Sequence, residues 1–485
     1  MPYVKLLAVA TVMFCMNPAA VAKEAPAHPG QLAYPTLDWR PPLGKPFRTR
    51  LHNGLQLYIA RDTSLPVITI AGHVASGSLL DPPGKKGLAA FTTTMMRTGG
   101  TAQFSADDLD ALIERLAIKL TIAAHESRID FSMSFMPEFT DTALIILQQV
   151  LFKPAFEKNK IAKERSLLIE QIKHRFDTPS PILSAAYERA MYADAPNAQL
   201  TSIESVTSLS IKNMRQFHKR TFKTENMLLA VSGYFDKIKM QQRLEAIFPK
   251  ARNAGRPEFP DITVRPVAKA LIVHKPISQS YVRIGLPWIK RPHPDYYPMS
   301  ILNTILGGGS FTSRLSSKIR SDEGLTYSIY SSAQSNYTYQ GTIFISFFTQ
   351  MATTSKAIHL SIEEVGKLVA EGFTDKEFED AKKVLIDGLP SMFRSPQDIV
   401  ETYAWSEYYG RSEDHFRVYP EKITAITQNQ VRKVAEKYLK PDRFTFVVVA
   451  DTAQLHAQDT LSSFKLSALN NRRVTVPDSL KTVGE

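Results

Sequence analysis

Apolar positions along the chain recur with two periods, two residues and about 3.6 residues, and the switching between them predicts the order of elements. Short strands are expected over residues 55–60, with Leu55, Leu57 and Ile59 on one face, and over 67–74. A helix begins near Lys85 and ends at Gly99-Gly100, Ser105 caps another that runs to about Leu116, and residues 129–135 alternate as a strand. Helical spacing fills 140–152 and 158–176, the second stretch stopping before Asp177-Thr178-Pro179. Further on, the pattern predicts a strand over 281–286, helices over 297–306 and 312–321, strands over 325–331 and 341–348, and a helix over 354–371. Strands come in runs and do not alternate strictly with helices, which predicts an α+β fold of mostly antiparallel sheets covered by helices.

One pattern occurs twice. Residues 209–233 (LSIKNMRQFHKRTFKTENMLLAVSG) align without gaps on 426–450 (ITQNQVRKVAEKYLKPDRFTFVVVA). Each copy opens on a helix cap, Ser210 or Thr427, continues with apolar residues at helical spacing, and closes in an apolar run suited to a buried strand. Between the copies, residues 249–266 carry four prolines and Gly255, which interrupt both helix and sheet. The expected organisation is therefore two homologous halves, residues 23–258 and 259–485, behind a leader at 1–22.

That leader has the form of a secretory signal: Lys5, an apolar stretch, then Ala20-Val21-Ala22 before Lys23. It holds the only cysteine, Cys15, so the mature chain would contain none. Later segments fall short of the ~20 apolar residues of a membrane helix. The expectation is a periplasmic protein without a membrane span. The net charge of +12 is scattered, with no basic stripe or aromatic platform, which predicts no nucleic-acid partner.

The stretch 75–100 (ASGSLLDPPGKKGLAAFTTTMMRTGG) resembles the segment that carries the inverted zinc motif H-x-x-E-H in insulinase-type (pitrilysin-like) metallopeptidases. The flanking Gly77-Ser78, Gly87-Leu88-Ala89 and Met95 fit, as do residues 152–156, 163–172 and 226–233. The resemblance runs from about Phe47 to Asp451 and implies two α+β halves, with a cavity enclosed against a partner subunit. Where the family has His, Glu and His, this chain has Ala90, Thr93 and Thr94. Two imidazoles at i and i+4 ligate zinc from one helix face, and the Glu takes a proton from the zinc-bound water, whose pKa the metal lowers to about 7. Alanine and threonine supply neither function. The third ligand position falls on Glu170, retained beside His174, a pair that reads as a solvated i, i+4 contact. No metal site is expected in this chain, and no peptidase activity from it alone.

The second half carries a glycine-rich turn, Gly307-Gly308-Gly309, then Arg320 and Tyr327. This is similar to the family's second-half signature, which two-subunit members place on the chain opposite the zinc motif. The resemblance implies that Arg320 and Tyr327 hold the substrate carbonyl and its developing oxyanion, with the glycines near bound peptide. By spacing alone, Tyr327 shares a strand face with Leu325 and Ile329 as ordinary core, Arg320 is an exposed helix arginine, and Gly324 ends the helix between them. The glycine turn lacks the lysine that follows in a phosphate loop, so a closely approached turn is expected. His73 and His125 read as structural, and the strand around 121–124 resembles the family's substrate-pairing edge. The expected function is the zinc-less subunit of a heterodimeric metallopeptidase, with zinc in an H-x-x-E-H partner and a peptide substrate. The alternative is a peptide-binding or scaffold protein of the same fold.

Overall fold

The computed structural model describes residues 39–252, 255–458 and 471–473, so the predicted signal segment lies outside the described residues. From Arg40 onward the chain forms one compact unit. Its first part runs β1 (Arg48–Arg50), β2 (Gln56–Arg61), β3 (Ile68–Val74), α1 (Leu88–Thr98), α2 (Ala106–Arg115), β4 (Lys119–Ala124), β5 (Ile129–Phe135), α3 (Thr140–Phe152), α4 (Lys158–Lys173), α5 (Pro179–Tyr192), α6 (Ile203–Thr207), α7 (Ile211–Thr221), β6 (Met227–Gly233) and α8 (Lys237–Ile247). The second part runs β7 (Ala270–His274), β8 (Gln279–Pro287), α9 (Tyr296–Asn303), β9 (Ile329–Gln334), β10 (Thr342–Gln350), α10 (Thr354–Ala370), α11 (Asp375–Asp387), α12 (Pro396–Tyr408), α13 (His415–Ala425), α14 (Gln428–Tyr438), β11 (Thr445–Ala450), α15 (Thr452–Gln458) and β12 (Asn471–Arg473). None of these helices is long and apolar enough to cross a membrane.

Two six-stranded mixed sheets result, ordered β1-β2-β6-β3-β5-β4 and β12-β7-β11-β8-β10-β9. From the second position on the orders correspond, and the repeated segment supplies the third strand of each; the first strands differ, β1 pairing antiparallel with β2 and β12 parallel with β7. That strand, β6 or β11, pairs parallel on one side (with β2 or β7) and antiparallel on the other (with β3 or β8). The preceding helices, α7 and α14, start in the same way: Ser210 and Thr427 each complete a capping box, with Asn213 and Gln430. The fold is α+β with two related halves.

β5 shows how the pattern builds a one-sided strand: Ile129, Phe131, Met133 and Phe135 are buried, while Asp130, Ser132 and Ser134 between them are half-buried. β6 and β11 are buried at every residue, because helices cover both of their faces. On one of the two faces the covering helix comes from the other half in each case. α12 lies on β6 and β2, and α5 lies on β11 and β8. The proline-rich stretch between the halves is anchored. Arg265 N donates to Met191 O at 2.7 Å, and Gln340 N donates to Ile262 O at 3.1 Å.

Three expected elements differ. The strand expected over 325–331 begins only at Ile329. The helix expected over 297–306 leaves α geometry after Asn303, and most of the one expected over 312–321 is a π-helical segment.

Candidate functional site

α9 widens into a π-helical turn, Thr304–Gly308, and a second π segment, Ser316–Asp322, carries Arg320. Single π turns of this kind concentrate at functional sites. The glycines serve close approach. A Cβ on Gly307 would lie 2.5 Å from the backbone nitrogen of Ser331 in β9. On Gly308 it would lie 2.5 Å from Asn303 Nδ2, and on Gly309 2.5 Å from Thr304 O. The turn therefore lies directly on β9, tied there by Ser331 Oγ, which donates to Asn303 Oδ1 at 2.9 Å.

Beyond the second π segment, Gly324 adopts φ 62° and reverses the chain, with Leu325 N donating to Ile319 O at 3.0 Å. Glu323 accepts from Lys356 at 2.8 Å and from Lys318 at 2.9 Å, which holds its carboxyl down to about 2 and pins this end of the segment to α10. Threonine hydroxyls then fix the chain: Thr326 Oγ1 donates to Phe348 O and Thr349 Oγ1 to Leu325 O, each at 2.6 Å. These bonds replace ladder pairing, which is why the strand starts late. Tyr327 is consequently not a core residue alternating with Leu325 and Ile329; it stands 78% exposed.

The guanidinium carbon of Arg320 lies 5.2 Å from the centre of the Tyr327 ring and 4.2 Å from that of Phe311. Among the described residues no carboxylate comes within ion-pair distance of Arg320. Of the two acids that follow it, Asp322 and Glu323, the second is taken by two lysines. Gly307, Gly308, Phe311, Arg320 and Tyr327 line one open cavity of about 490 Å³. Gly309 is not in its wall. The cavity thus presents an unpaired guanidinium, with five N–H donors, beside a phenol able to donate one more hydrogen bond. Phe311 escapes the sequence reading. Its signal is an aromatic residue directly after Gly307-Gly308-Gly309-Ser310, where no apolar period requires one.

On α1, Ala90 is exposed, Thr93 buried and Thr94 half-buried. The hydroxyls of Thr93 and Thr94 both donate to the backbone oxygen of Ala90, at 2.9 and 3.1 Å. α4 packs against α1, but Glu170 accepts from Lys173 at 2.7 Å and lies 3.9 Å from His174 Nε2, which itself sits beside an acid: His174 Nδ1 is 2.9 Å from Asp177 Oδ2. Zinc does not fit this donor set: Glu170 is a single carboxylate with no imidazole from α1. Among the described residues no group of three or more His, Cys, Asp or Glu could hold a metal ion. His73 and His125 converge on one carboxylate, with Nδ1 of the first 2.9 Å and Nε2 of the second 3.1 Å from Asp130.

Two related α+β halves, with Ala90, Thr93 and Thr94 on α1 and the Arg320–Tyr327 cavity in the second half, define the class: a protein of the two-part peptidase fold. The chain belongs to the insulinase (M16) peptidase family. Residues 58–202 match the family profile "Insulinase (Peptidase family M16)" and residues 208–385 match "Peptidase M16 inactive domain". The chain is 23% identical over 391 residues to the "Non-peptidase homolog YmxG" of Helicobacter pylori, covering 78% of this chain and 88% of that protein. It is 25% identical over 346 residues to the "Uncharacterized zinc protease YmxG" of Bacillus subtilis, covering 69% and 81%. In fold it is similar to the peptidase M16 inactive domain from Pseudomonas fluorescens, with a TM-score of 0.72 at 22% identity over 83% of this chain and 97% of that one. A protease from Helicobacter pylori aligns with a TM-score of 0.70 at 17% identity, over 85% and 100%.

Proposed function

We propose that this chain is the metal-free half of a two-subunit periplasmic peptidase, and that Arg320 and Tyr327 hold the carbonyl oxygen of a bound peptide while a homologous H-x-x-E-H subunit supplies zinc and the general base. The observation that carries this reading is the unpaired Arg320 guanidinium beside the exposed Tyr327 hydroxyl at an open cavity. An exposed aromatic with a free cation against it adds little to folding, and both groups are donors suited to a developing oxyanion. The partner's zinc would supply the ionised water. Arg320 and Tyr327 would orient the peptide and stabilise charge on its carbonyl oxygen.

The test is reconstitution with the homologous zinc-bearing subunit. Each chain alone should leave a quenched peptide intact, and the mixture should cut it. Activity that is the same with and without this chain would end the proposal. A second reading, a peptide-binding scaffold, is favoured by the name of the Helicobacter pylori relative, a non-peptidase homologue. Under it, peptide affinity persists without any partner and survives loss of the Arg320 and Tyr327 side chains.

A further inference from the structure

Another cavity, of about 580 Å³, opens where the two halves meet, and its wall includes Ala124, Arg128, Arg291, Tyr337, Tyr409 and Arg411. The two tyrosines of the wall belong to a column of rings that continues behind it to Trp405. Tyr337 stacks on Tyr409 with centroids 4.7 Å apart and planes 22° apart, and Tyr409 stacks on Trp405 at 5.3 Å and 20°. Arginines lie along that column. Arg128 sits 4.2 Å over the Trp405 ring, and Arg291 sits 4.5 Å over Tyr337 and 3.7 Å over Tyr296. Arg411 Nε donates to the Tyr337 hydroxyl at 2.8 Å.

Arg128 spends its charge on Asp130, to which its Nε donates at 2.7 Å. Arg291 and Arg411 do not. Among the described residues neither has a carboxylate within ion-pair distance. Glu126, the acid in the wall, accepts from the Tyr339 hydroxyl at 2.5 Å. Ring faces attract a cation but do not neutralise it, so the cavity keeps a positive potential. The nearby His415 responds to it: burial first, then Arg411 and Arg291, push its imidazole down to about 4. Two planar guanidinium forks, held rigid by stacking, match the two oxygens of a carboxylate. Ala124 ends β4, the outermost strand of its sheet, so an extended peptide laid along β4 would reach this cavity at its end.

We propose that Arg291 and Arg411 form a carboxylate-recognition site that anchors an extended peptide by its free C-terminus or by an acidic side chain near it. Only the choice of a peptide as carrier rests on the function proposed above. The site is separate from the Arg320–Tyr327 cavity, and its test needs neither partner nor turnover.

The experiment is fluorescence anisotropy of the full chain with a labelled acidic peptide, its C-terminal amide, and a version with each Asp and Glu replaced by Asn and Gln. The expected result is that one of the two substitutions weakens binding about tenfold or more, as loss of a charge-assisted pair does, and so identifies the source of the carboxylate. Arg291→Gln and Arg411→Gln should each erase that discrimination, and Arg291→Lys should keep part of it, with unfolding temperature as the check that each variant folds. Equal binding of all three peptides, no binding of any, or discrimination that survives in the folded variants would overturn the proposal. Displacement by an equal concentration of inorganic phosphate would also overturn it, by giving the site to free phosphate. Failure of the reconstituted peptidase with this discrimination intact would sink only the catalytic reading.

Discussion

Arg320 and Tyr327 face each other across a chain reversal, guanidinium carbon to ring centre 5.2 Å, although one sits on a π-helical segment and the other on a free-standing link before β9. The reversal depends on Gly324 at φ 62° and on Glu323 binding Lys318 and Lys356. The pair is thus positioned by groups that do not themselves face the cavity.

This arrangement separates stability from activity. Tyr327 is 78% exposed, so Tyr327→Phe should change folding stability by less than about 0.5 kcal/mol. In the reconstituted two-subunit peptidase the same change should lower kcat on the order of 10²-fold, the usual consequence of removing one oxyanion donor. Parallel measurement of unfolding and of kcat decides it. An unchanged kcat would leave Tyr327 without a catalytic role.

The glycine turn makes a prediction about packing. Gly307→Ala would drive a methyl group to 2.5 Å from the Ser331 backbone nitrogen and 2.9 Å from Leu315 Cδ1, atoms within a packed core that cannot move freely. The expected cost is about 1–3 kcal/mol, read as a lower urea midpoint. Gly324→Ala meets nothing within 4 Å, so only its left-handed backbone is strained, at about 1 kcal/mol. A Gly307→Ala protein as stable as the parent would mean that the turn stands off β9.

Much of this architecture was legible in the residues. The paired segments 209–233 and 426–450 carry their caps, helix faces and apolar runs in one-to-one correspondence, and they fold as α7–β6 and α14–β11. Two covering helices were not. α5 opens with Pro179 and Pro181 and α12 with Pro396, and prolines in a first turn are tolerated in a helix while reading as breaks in a sequence. The π segments escape for another reason. A segment of seven residues spans too few turns for a changed period to show, so residues 316–322 look α-helical. At the site, the alternation of Leu325, Tyr327 and Ile329 suggested a strand that side-chain bonds from Thr326 and Thr349 pre-empt.

The ligand register that the resemblance assigns to Ala90, Thr93 and Thr94 can be tested by installing imidazoles there. Ala90 is exposed and Thr94 half-buried, one turn apart on α1, so Ala90→His with Thr94→His places two imidazoles on one accessible face. The double variant should gain a zinc-dependent rise in unfolding temperature that a chelator reverses, which the parent lacks. Adding Glu170→Gln should reduce that rise if α4 supplies the third ligand. A double variant indifferent to zinc would show that these positions are not in ligand register.

The last prediction concerns the helix that crosses between halves. Glu188 on α5 is pushed up to about 7, first by burial and then by Glu126, with Arg283 and the Asn197 amide opposing. A carboxyl raised in the folded state binds a proton more readily there than in the unfolded chain, so it stabilises the fold fully below pH about 4.5 and loses that contribution as pH rises through about 7. The size is on the order of 3 kcal/mol, from about 2.5 units at 1.36 kcal/mol per unit. His415 works in the opposite sense. Held down to about 4, it costs stability as pH falls below about 6.5, and it does so equally in parent and variant. The difference in unfolding free energy between Glu188→Gln and the parent isolates Glu188. It should grow in favour of the variant by about 2–3 kcal/mol between pH 4.5 and 8. A flat difference would mean that Glu188 keeps an ordinary carboxylate pKa in spite of its neighbour Glu126.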